Sequence, residues 1–444
     1  MGGDPRLAAF RLLLRLARGG GYVNLALDAA LQREALASQD KAFCAALVYG
    51  VVERRRTLEY QLRDLLRQPL QKLQPEARAS LLLGLYQLYF MDRVPPHAAI
   101  NESVQLCKKS KAHYSAGMVN AVLRKASARG LQYPERVADE RLWLSVRYSS
   151  PEWLCDLWRE SYGPDTAEAL LAFSLERAPL ALRVNPLRCT VAEFSSQLAA
   201  AGLANKISPL ASECVFLPGG GAVQGLPRFA QGWFHVQDLA AQLCCRVLDA
   251  QPGETVFDLC AAPGGKSFTI AEMMGDSGEI VALELHEARV NLISEGARRL
   301  GLQSIRAMRG DALQAGRTVG MRKKADRVLC DVPCSGLGIL RKKPDIREKT
   351  RTEIDKLPEM QYNMLCSAYD CLKDGGTLVY ATCTLNPAEN EQVCRRFLAG
   401  KPEMTAREVL RDIPAWREVG EPWCTLMPHV SGTDGFFIAK FTKG

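Results

Sequence analysis

The sequence lacks any apolar run of the roughly 18 residues that a membrane-spanning helix needs. The longest candidate, Leu81 to Met91, has about half that length and contains Gly84 and Gln87. A Leu-rich stretch near the N-terminus is interrupted by Arg11 and Arg15, and no small-residue cleavage site follows it. That pattern indicates an amphipathic helix rather than a signal peptide, so we expect a cytoplasmic protein without a membrane anchor.

The chain is also poor in metal-binding patterns. It has five histidines and no Cys-x-x-Cys pair, and no other residue with zinc-ligand spacing accompanies Cys330 and Cys334. Its fifteen cysteines are an odd number in a chain without a signal peptide, which indicates reduced thiols rather than disulfides. We therefore expect no metal, and most cysteines should be small buried hydrophobic residues.

What is present is the composition of a globular protein, with 47% hydrophobic and 24% charged residues. The length of 444 residues is enough for two or three domains. Net charge is +8, and residues 1–140 carry all of it, with 21 of the 57 basic and 13 of the 49 acidic side chains. The remaining residues have 36 of each sign. A local basic excess favours a polyanionic partner such as nucleic acid over a merely solvated helical surface.

Three regions differ in pattern. Residues 1–130 show apolar positions at helical spacing and predict an all-α domain, with basic clusters at Arg54 to Arg56 and at Lys108, Lys109 and Lys111. Residues 131–235 are rich in proline and contain short strand-like pieces at 181–184 and 215–217, which predicts a small α/β connecting domain with irregular loops. Residues 236–444 alternate strands with helices, as a mostly parallel, doubly wound sheet covered on both faces does. Strands are predicted at 255–260, 279–285, 304–309, 326–331, 377–383 and 435–441, and helices at 237–249, 267–274, 286–300 and 352–373.

A small-residue loop follows the first strand of the third region. It lacks the first glycine of a phosphate-binding P-loop and does not match the dinucleotide pattern Gly-x-Gly-x-x-Gly. Glycines here allow close approach to a ligand, and the following helix offers its free N–H groups. The loop is therefore a candidate nucleoside cradle, formed by Cys260, Ala261, Ala262, Pro263, Gly264, Gly265 and Lys266.

Acidic residues follow the next three strands. Glu284 ends the second strand and suits a ribose diol, Asp311 follows the third and can accept from an adenine amino group, and Asp331 closes the fourth. Each acid alone is more often a helix cap or a solvated loop residue. Together they line the carboxyl edge of one sheet, where open α/β sheets bind ligands.

Two cysteines reach the same edge. Cys334 follows the fourth strand, and Cys383 ends the fifth. A thiolate that adds to C6 of a pyrimidine makes C5 nucleophilic enough to take a methyl group from a sulfonium. Asp331 is placed to stabilise the adduct near N3. The target base must leave its stack or lie in single-stranded RNA.

Several motifs resemble one family. The cradle, Asp331-Val-Pro-Cys-Ser335 and Thr382-Cys383 resemble the S-adenosylmethionine-dependent RNA cytosine-C5 methyltransferases. Val94 to Ser103 and Val119 to Arg124 are similar to the NusB-like domain of the RsmB/Sun/Fmu family of bacterial 16S rRNA enzymes. Four further segments resemble the same family, so the resemblance extends over nearly the whole chain. They are Ser150 to Leu154, Leu182 to Pro186, Val236 to Asp238 and Asp434 to Phe437.

The resemblance implies a Rossmann-like methyltransferase domain behind a NusB-like RNA-binding domain. It implies that residues 260–266, Glu284, Asp311 and Asp331 bind S-adenosylmethionine, that Cys383 is the nucleophile, and that Cys334 promotes product release. The implied substrate is one cytosine of unassembled or partly assembled 16S rRNA, number 967 in the conventional numbering, and the expected state is a monomer.

The sequence departs from the family at three positions: Glu284 stands where Asp is usual, Thr384 where Ser is common, and Lys343 where His is frequent. The last leaves target choice open. Two alternatives remain: the same chemistry on another RNA such as tRNA, and a non-catalytic RNA-binding adaptor. The presence of both Cys334 and Cys383 argues against an adaptor. An amino-methyltransferase is disfavoured because its Pro-Pro-aromatic loop is replaced by Asp331-Val-Pro-Cys334.

Overall fold

The computed structural model describes residues 3–19, 23–34, 36–219, 223–318, 320–413, 415 and 420–444. The chain divides into two units, one of residues 1–175 and 340–349 and the other of residues 176–339 and 350–444. These units do not coincide with the three domains that the sequence predicts, because the helices that follow residue 131 belong to the first unit. The boundaries after residues 130 and 235 stay predictions.

The first unit is helical throughout its described residues. Prolines stand in the first turn of several helices, where the missing N–H is not needed, and the Asp4 side chain caps the first helix. Leucines such as Leu47, Leu58 and Leu81 are fully buried in one core. The helices are α1 Pro5–Ala17, α2 Val23–Arg33, α3 Ser38–Glu53, α4 Arg55–Leu62, α5 Pro75–Phe90, α6 Pro96–Lys108, α7 Ala116–Arg129, α8 Glu140–Arg147, α9 Glu152–Tyr162 and α10 Pro164–Phe173.

Residues 340–349 also belong to this first unit, although the chain on both sides of them lies in the second. Arg347 is 1% exposed and donates to Ser174 Oγ at 2.7 Å and to the Ser174 carbonyl oxygen at 3.0 Å. Arg341 lies 4.5 Å from the ring centre of Phe173. Burial lowers the pKa of Arg347 to about 10, so its guanidinium remains charged at neutral pH. The segment that carries Lys343 is thus anchored by buried polar contacts.

The second unit begins with a small antiparallel sheet of order β2-β3-β1-β4. The predicted strand pieces at 181–184 and 215–217 are confirmed, whereas the shorter β2 and β4 were not predicted. A Thr190–Glu193 capping box starts the helix that covers this sheet. The elements are β1 Leu180–Val184, α11 Val191–Ala200, β2 Lys206–Ile207, β3 Cys214–Leu217 and β4 Phe234–Val236.

A larger mixed sheet follows in the same unit, and its strand order is β10-β12-β9-β8-β5-β6-β7, with β11 paired to β12. Strands β9, β8, β5, β6 and β7 are parallel, and β12 runs antiparallel to β9. The predicted parallel sheet is confirmed. Its elements are α12 Leu239–Leu248, β5 Thr255–Asp258, α13 Gly265–Met273, β6 Glu279–Glu284, α14 Glu287–Leu300, β7 Ile305–Arg309, β8 Ala325–Asp331, α15 Arg351–Ile354, α16 Leu357–Cys371, β9 Leu372–Thr382, α17 Glu391–Gly400, β10 Met404–Arg407, β11 Cys424–Leu426, α18 Pro428–Ser431 and β12 Phe436–Lys443.

Both faces of this sheet are buried, which explains why its strands read as continuous apolar runs. Val256 packs into the core on one face and its neighbour Phe257 into the core on the other. Val379 and Tyr380 on β9 alternate in the same way. Because β5 to β9 run parallel, the polar residues that follow these strands lie at one edge of the sheet. Among the described residues, no helix has the length and apolar character required to span a membrane.

Candidate active site

The loop between β5 and α13 is built to approach a ligand closely. Gly264 has φ of +107°, and a Cβ placed on it would lie 2.3 Å from Phe268 Cζ, so this position requires glycine. Its N–H donates to the Ala261 carbonyl oxygen at 2.8 Å, which closes the turn. Within the described part of the chain, no side chain caps the N-terminus of α13, which begins after Gly264. The geometry is that of a backbone cradle.

Asp258, at the end of β5, is hydrogen-bonded to the helix that follows the cradle. Its carboxylate accepts a 2.7 Å hydrogen bond from Ser267 Oγ, while its Oδ1 atom is buried without a partner among the described residues. Burial is the larger effect and raises the pKa of Asp258 to about 6, although the Ser267 hydrogen bond opposes the rise. Burial also raises the pKa of Cys260 well above its usual value, so that thiol stays protonated. Asp258 was missed by sequence reasoning, although it ends the strand before the cradle.

Glu284 lies at the end of β6 and is 5% exposed. Its Oε1 atom accepts from the His286 backbone N–H at 3.1 Å and from Arg289 Nη1 at 3.3 Å. Arg289 also donates to the Ala262 carbonyl oxygen at 3.0 Å and so joins the predicted ribose acid to the cradle. Asp311 caps the short helix that follows it, since its Oδ1 accepts from the Leu313 N–H at 2.9 Å. The contact shown for Asp311 is therefore with its own loop.

Asp331 forms an ion pair with Lys266, the last residue of the cradle. Burial disfavours the charge on Lys266, but the neighbouring carboxylate outweighs this cost and the pKa of Lys266 is raised above its usual value. The ammonium also lies 5.4 Å from the ring centre of Phe436. The pair joins the first turn of α13, which follows β5, to the end of β8. The sequence predicts that both lie at one edge but does not predict this contact.

The two predicted cysteines meet. Cys334 Sγ lies 3.3 Å from Cys383 Sγ, although the residues are 49 positions apart in the sequence. The hydrogen bond to Cys383, together with burial, raises the pKa of Cys334 well above its usual value. The two sulfur atoms are within hydrogen-bond distance, and either thiol can be the donor. All fifteen cysteines lie among the described residues, and none is in a disulfide, as the sequence predicted.

A buried carboxylate holds the loops that carry both cysteines. Glu389 is fully buried and accepts from the Ser335 N–H at 2.8 Å, from Ser335 Oγ, from Gln361 Nε2 at 2.9 Å and from Asn386 Nδ2 at 2.9 Å. Ser335 Oγ also lies 2.6 Å from Thr384 Oγ1, so the residue after Cys334 contacts the residue after Cys383. Sequence reasoning missed Glu389, because an acid in a loop usually lies in solvent.

Asn390 completes this arrangement from the other side. Its amide oxygen accepts from Thr382 Oγ1 at 2.6 Å, and its amide nitrogen donates to the Thr384 carbonyl oxygen at 3.0 Å. Both contacts flank Cys383 in the chain. The hydroxyl of Tyr380 donates to the Glu389 backbone carbonyl at 2.6 Å. The end of β9 is therefore fixed on both sides of the predicted nucleophile.

Comparison with known proteins identifies similar sequences for each part of the chain. Residues 245–442 match the model of the 16S rRNA methyltransferase RsmB/F family, residues 4–128 match the NusB family, and residues 150–224 match the ferredoxin-like domain of RsmF/B-like methyltransferases.

Whole-chain relatives carry related names. The chain is 39% identical to a probable ribosomal RNA small subunit methyltransferase B of Synechocystis, with 99% of each protein covered. It is 36% identical to ribosomal RNA small subunit methyltransferase B of Vibrio cholerae, over 99% of this chain and 98% of that protein.

Solved structures agree with this fold. The crystal structure of PH0851 has a TM-score of 0.85 at 25% identity and covers both chains fully. A methyltransferase homologue from Pyrococcus horikoshii has a TM-score of 0.61 at 28% identity, over 69% of this chain and 99% of that one.

Proposed function

The chain belongs to the RsmB/F family of 16S rRNA methyltransferases, and we propose that it methylates C5 of one cytosine in 16S rRNA through a covalent adduct on Cys383. Membership of this family and the methyltransferase fold support methylation of rRNA. The position on the base and the covalent route are inferred from chemistry. The observation that carries this inference is the 3.3 Å approach of the Cys334 and Cys383 sulfur atoms at the end of two neighbouring parallel strands.

The cofactor is S-adenosylmethionine, and the residues at this edge fit it. The glycine-dependent turn admits a close ligand, and the buried carboxylate of Glu284 can accept from both hydroxyls of a ribose. Asp311 lies at the next strand end and is proposed to accept from the adenine amino group. When bound, the cofactor supplies an electrophilic methyl group on a sulfonium. The residues proposed to hold it are Cys260 to Lys266, Glu284, Asp311 and Asp331.

Cys383 is proposed to start the reaction by adding its thiolate to C6 of the cytosine. A bond forms between Sγ and C6, and the electrons of the 5,6 double bond move to C5, which then takes the methyl group. Asp331, held in its ion pair with Lys266, is proposed to accept a hydrogen bond from N3 of the adduct, which takes up a proton from water as the thiolate adds.

Product release needs two further bonds to break. The proton on C5 must pass to a base, for which we propose a water molecule, and the Sγ–C6 bond must then break so that the 5,6 double bond returns and its electron pair regenerates the Cys383 thiolate. Cys334 is proposed to promote this release, since its sulfur lies beside that of Cys383. The raised pKa of Cys334 favours its thiol form.

The proposed partner is unassembled or partly assembled 16S rRNA, bound by a monomer in the cytoplasm. The NusB match and the basic excess of residues 1–140 support RNA binding by the first unit. The target, number 967 in conventional numbering, comes from the sequence resemblance alone. Methylation of another RNA, such as tRNA, remains the alternative that the substrate comparison below addresses.

Transfer of labelled methyl from S-adenosylmethionine to unmodified 16S rRNA tests the proposal, with wild type compared with Cys383→Ala and Cys366→Ala. Cys366, a partly exposed cysteine in α16, serves as the matched control. We expect 5-methylcytosine at one position with wild type and with Cys366→Ala. Cys383→Ala should lose at least about a thousandfold in rate, because the adduct cannot form.

Each other result has a distinct meaning. Methyl transfer that survives in Cys383→Ala would overturn the nucleophile assignment and leave Cys334 as the candidate. Incorporation into tRNA and not into 16S rRNA would overturn the substrate. A methyl group found on an exocyclic nitrogen would overturn C5 chemistry even if the rRNA is correct.

A further inference from the structure

The first unit contains a cleft that the catalytic chemistry does not use. It has a volume of about 620 Å³, within the roughly 300–1,000 Å³ range of ligand sites. Its walls come from α4, the segment after it, α8 and the start of α9. The lining residues include Arg56, Glu59, Tyr60, Arg63, Arg67 and Glu152.

Hydrogen bonds hold the walls of this cleft together. The Arg56 backbone N–H donates to Ser149 Oγ at 3.1 Å, and Thr57 Oγ1 donates to the Val146 carbonyl oxygen at 2.6 Å. Thr57 is fully buried. Both contacts join α4 to the end of α8 and the turn that follows it. The cleft is therefore a fixed part of the fold rather than a gap between loose segments.

Three arginines in the cleft lack a compensating carboxylate. Among the described residues, no ion pair involves Arg56, Arg63 or Arg67, and the Nε atom of Arg56 is buried without a hydrogen-bond partner. Such a nitrogen costs free energy until an acceptor reaches it. A cluster of three guanidinium groups without counter-charge is a site for an anion.

The acids near these arginines are already engaged elsewhere. Glu59 accepts from Arg55 Nε at 2.9 Å and also pairs with Arg78, and Arg55 makes a second pair with Glu348 at 2.9 Å. Glu152 lies 3.4 Å from Arg141. Of the predicted basic run Arg54 to Arg56, Arg55 is therefore neutralised. Arg54 lies 4.9 Å from the ring centre of Phe90, so Arg56 is the member that faces the cleft.

The rest of the lining suits a nucleobase. Tyr60 presents an aromatic ring with the Arg63 guanidinium 5.5 Å from its centre, and the partly exposed Leu66 adds apolar surface. Single-stranded RNA is bound by arginines that contact its phosphates and by aromatic rings on which its bases stack. A free inorganic anion would use the arginines and leave the ring unused.

We propose that this cleft binds a single-stranded segment of the RNA substrate, with Arg56, Arg63 and Arg67 on its phosphates and a base against Tyr60. The proposal rests on the proposed function, because it assigns a second contact surface to the same RNA. The cleft contributes affinity and not chemistry. It belongs to the part of the chain that carries the whole basic excess.

Binding of unmodified 16S rRNA to the Cys383→Ala protein tests the cleft, because that background forms no adduct. The variant Arg63→Gln/Arg67→Gln removes two exposed cleft charges. We expect affinity to fall at least about tenfold near 0.15 M salt and the slope of log affinity against log salt to become shallower by about 1.4. Tyr60→Leu should lower affinity with little change in that slope, since stacking releases no counterions.

The matched control is Arg11→Gln/Arg136→Gln, which removes the same charge from the same unit. Both arginines are paired, Arg11 with Glu34 at 3.6 Å and Arg136 with Glu168 at 2.7 Å. We expect the control to keep most of the affinity. Equal weakening by the cleft and control variants would show general attraction to the unit and overturn the cleft. Thermal unfolding of each variant checks that the fold is retained.

The two proposals fail in different ways. If the Cys383→Ala protein with an intact cleft does not bind 16S rRNA above its affinity for an unrelated transcript, the proposed substrate is wrong. If it binds and the cleft variant binds equally with the same salt slope, the cleft proposal alone is wrong. Tight binding of a free mononucleotide that Arg63→Gln/Arg67→Gln abolishes, without any effect on RNA binding, would also overturn the RNA assignment.

Discussion

The proposed catalytic edge of the second unit and the cleft of the first differ in whether their charged side chains have partners. At the edge, Lys266 is paired with Asp331 and Glu389 is surrounded by buried donors. In the cleft, Arg63 and Arg67 are exposed and have no carboxylate partner among the described residues. Pairing fixes geometry, which a bond-forming step requires to within a fraction of an ångström. Uncompensated surface charge fixes no geometry but attracts a polyanion from a distance.

This difference predicts separable defects. Changes at the edge should lower the rate at saturating RNA and leave RNA affinity and its salt dependence intact. Changes in the cleft should affect KM for RNA more than kcat. If both kinds of variant lowered the rate at saturating RNA and the RNA affinity equally, methyl transfer and RNA binding would not be separated between the two regions.

The largest effect is expected from Glu389→Ala. Removing this carboxylate takes away a buried acceptor from the Ser335 N–H, the Gln361 amide and the Asn386 amide, which costs about 3–5 kcal/mol of unfolding free energy. The loops of Cys334 and Cys383 then shift relative to each other. Since a misplacement of about 1 Å can cost a factor of about 100 in rate, we expect kcat to fall at least that much. Single-turnover methyl transfer and thermal unfolding measure the two effects.

Glu389→Gln separates the effect on the position of the cysteine loops from the effect on the free energy of unfolding. The amide keeps the shape and one acceptor oxygen, so it should retain the fold and lose less activity than Glu389→Ala. RNA affinity and its salt slope should stay unchanged in both variants. A drop in RNA affinity with normal kcat would instead assign Glu389 to RNA binding.

The same residue shows how much of the site the sequence could predict. Cys334 and Cys383 were found because each follows a buried strand, and parallel strands end at one edge. The sequence pattern did not reveal Glu389, since loop acids are usually solvated and only tertiary packing buries this one. The contact between the two sulfur atoms likewise depends on β8 and β9 being neighbours, which the order of strands along the chain does not dictate.

The fold shows a similar limit. The sequence predicts one helix at 352–373, whereas the structure has α15 and then α16, with Pro358 in the first turn of the latter. Proline lacks an N–H and clashes with the preceding turn, so it can begin a helix but not continue one. The helices α8 to α10 were assigned to a mixed middle region because prolines such as Pro151 and Pro164 suggested loops. Those prolines instead precede or begin helices.

A smaller effect is expected from Lys266→Met. The Asp331 carboxylate loses the ammonium that orients it between the cradle and the end of β8, and methyl transfer should slow by about tenfold. RNA binding should not change. Lys373→Met is the matched control, because Lys373 pairs at 2.7 Å with Asp326 near the beginning of the same strand. If both variants slow methyl transfer equally, the Lys266 pair has no special role in the reaction.

The last effect is on stability alone and concerns Asp258, a buried acid at the proposed catalytic edge that forms no ion pair among the described residues. Burial raises its pKa from 3.8 to about 6, so the folded chain binds this proton more tightly than the unfolded chain does. Stability from this group is therefore fully present below about pH 4, and it is lost as pH rises through about 6. The shift corresponds to about 3 kcal/mol at most.

Asp258→Asn should remove this pH dependence of stability, because an amide does not titrate in this range. Its oxygen can still accept from Ser267, so the local contact is kept. The free energy of unfolding of the variant relative to wild type, measured with urea, should rise by about 1–3 kcal/mol between pH 4 and pH 7. Asp326 provides the opposite case, since burial is outweighed by Lys373 and its pKa is lowered. Asp326→Asn should therefore be less stable than wild type above about pH 4, and this deficit should shrink as pH falls below about 4, because the wild type then loses the stability of its Asp326–Lys373 pair. If the two variants changed in the same direction, burial and pairing would not be what distinguishes these acids. If the two variants change in opposite directions, as we expect, charge without a partner is costly where water is excluded, as at Asp258. It is tolerated where water reaches it, as in the arginine cleft.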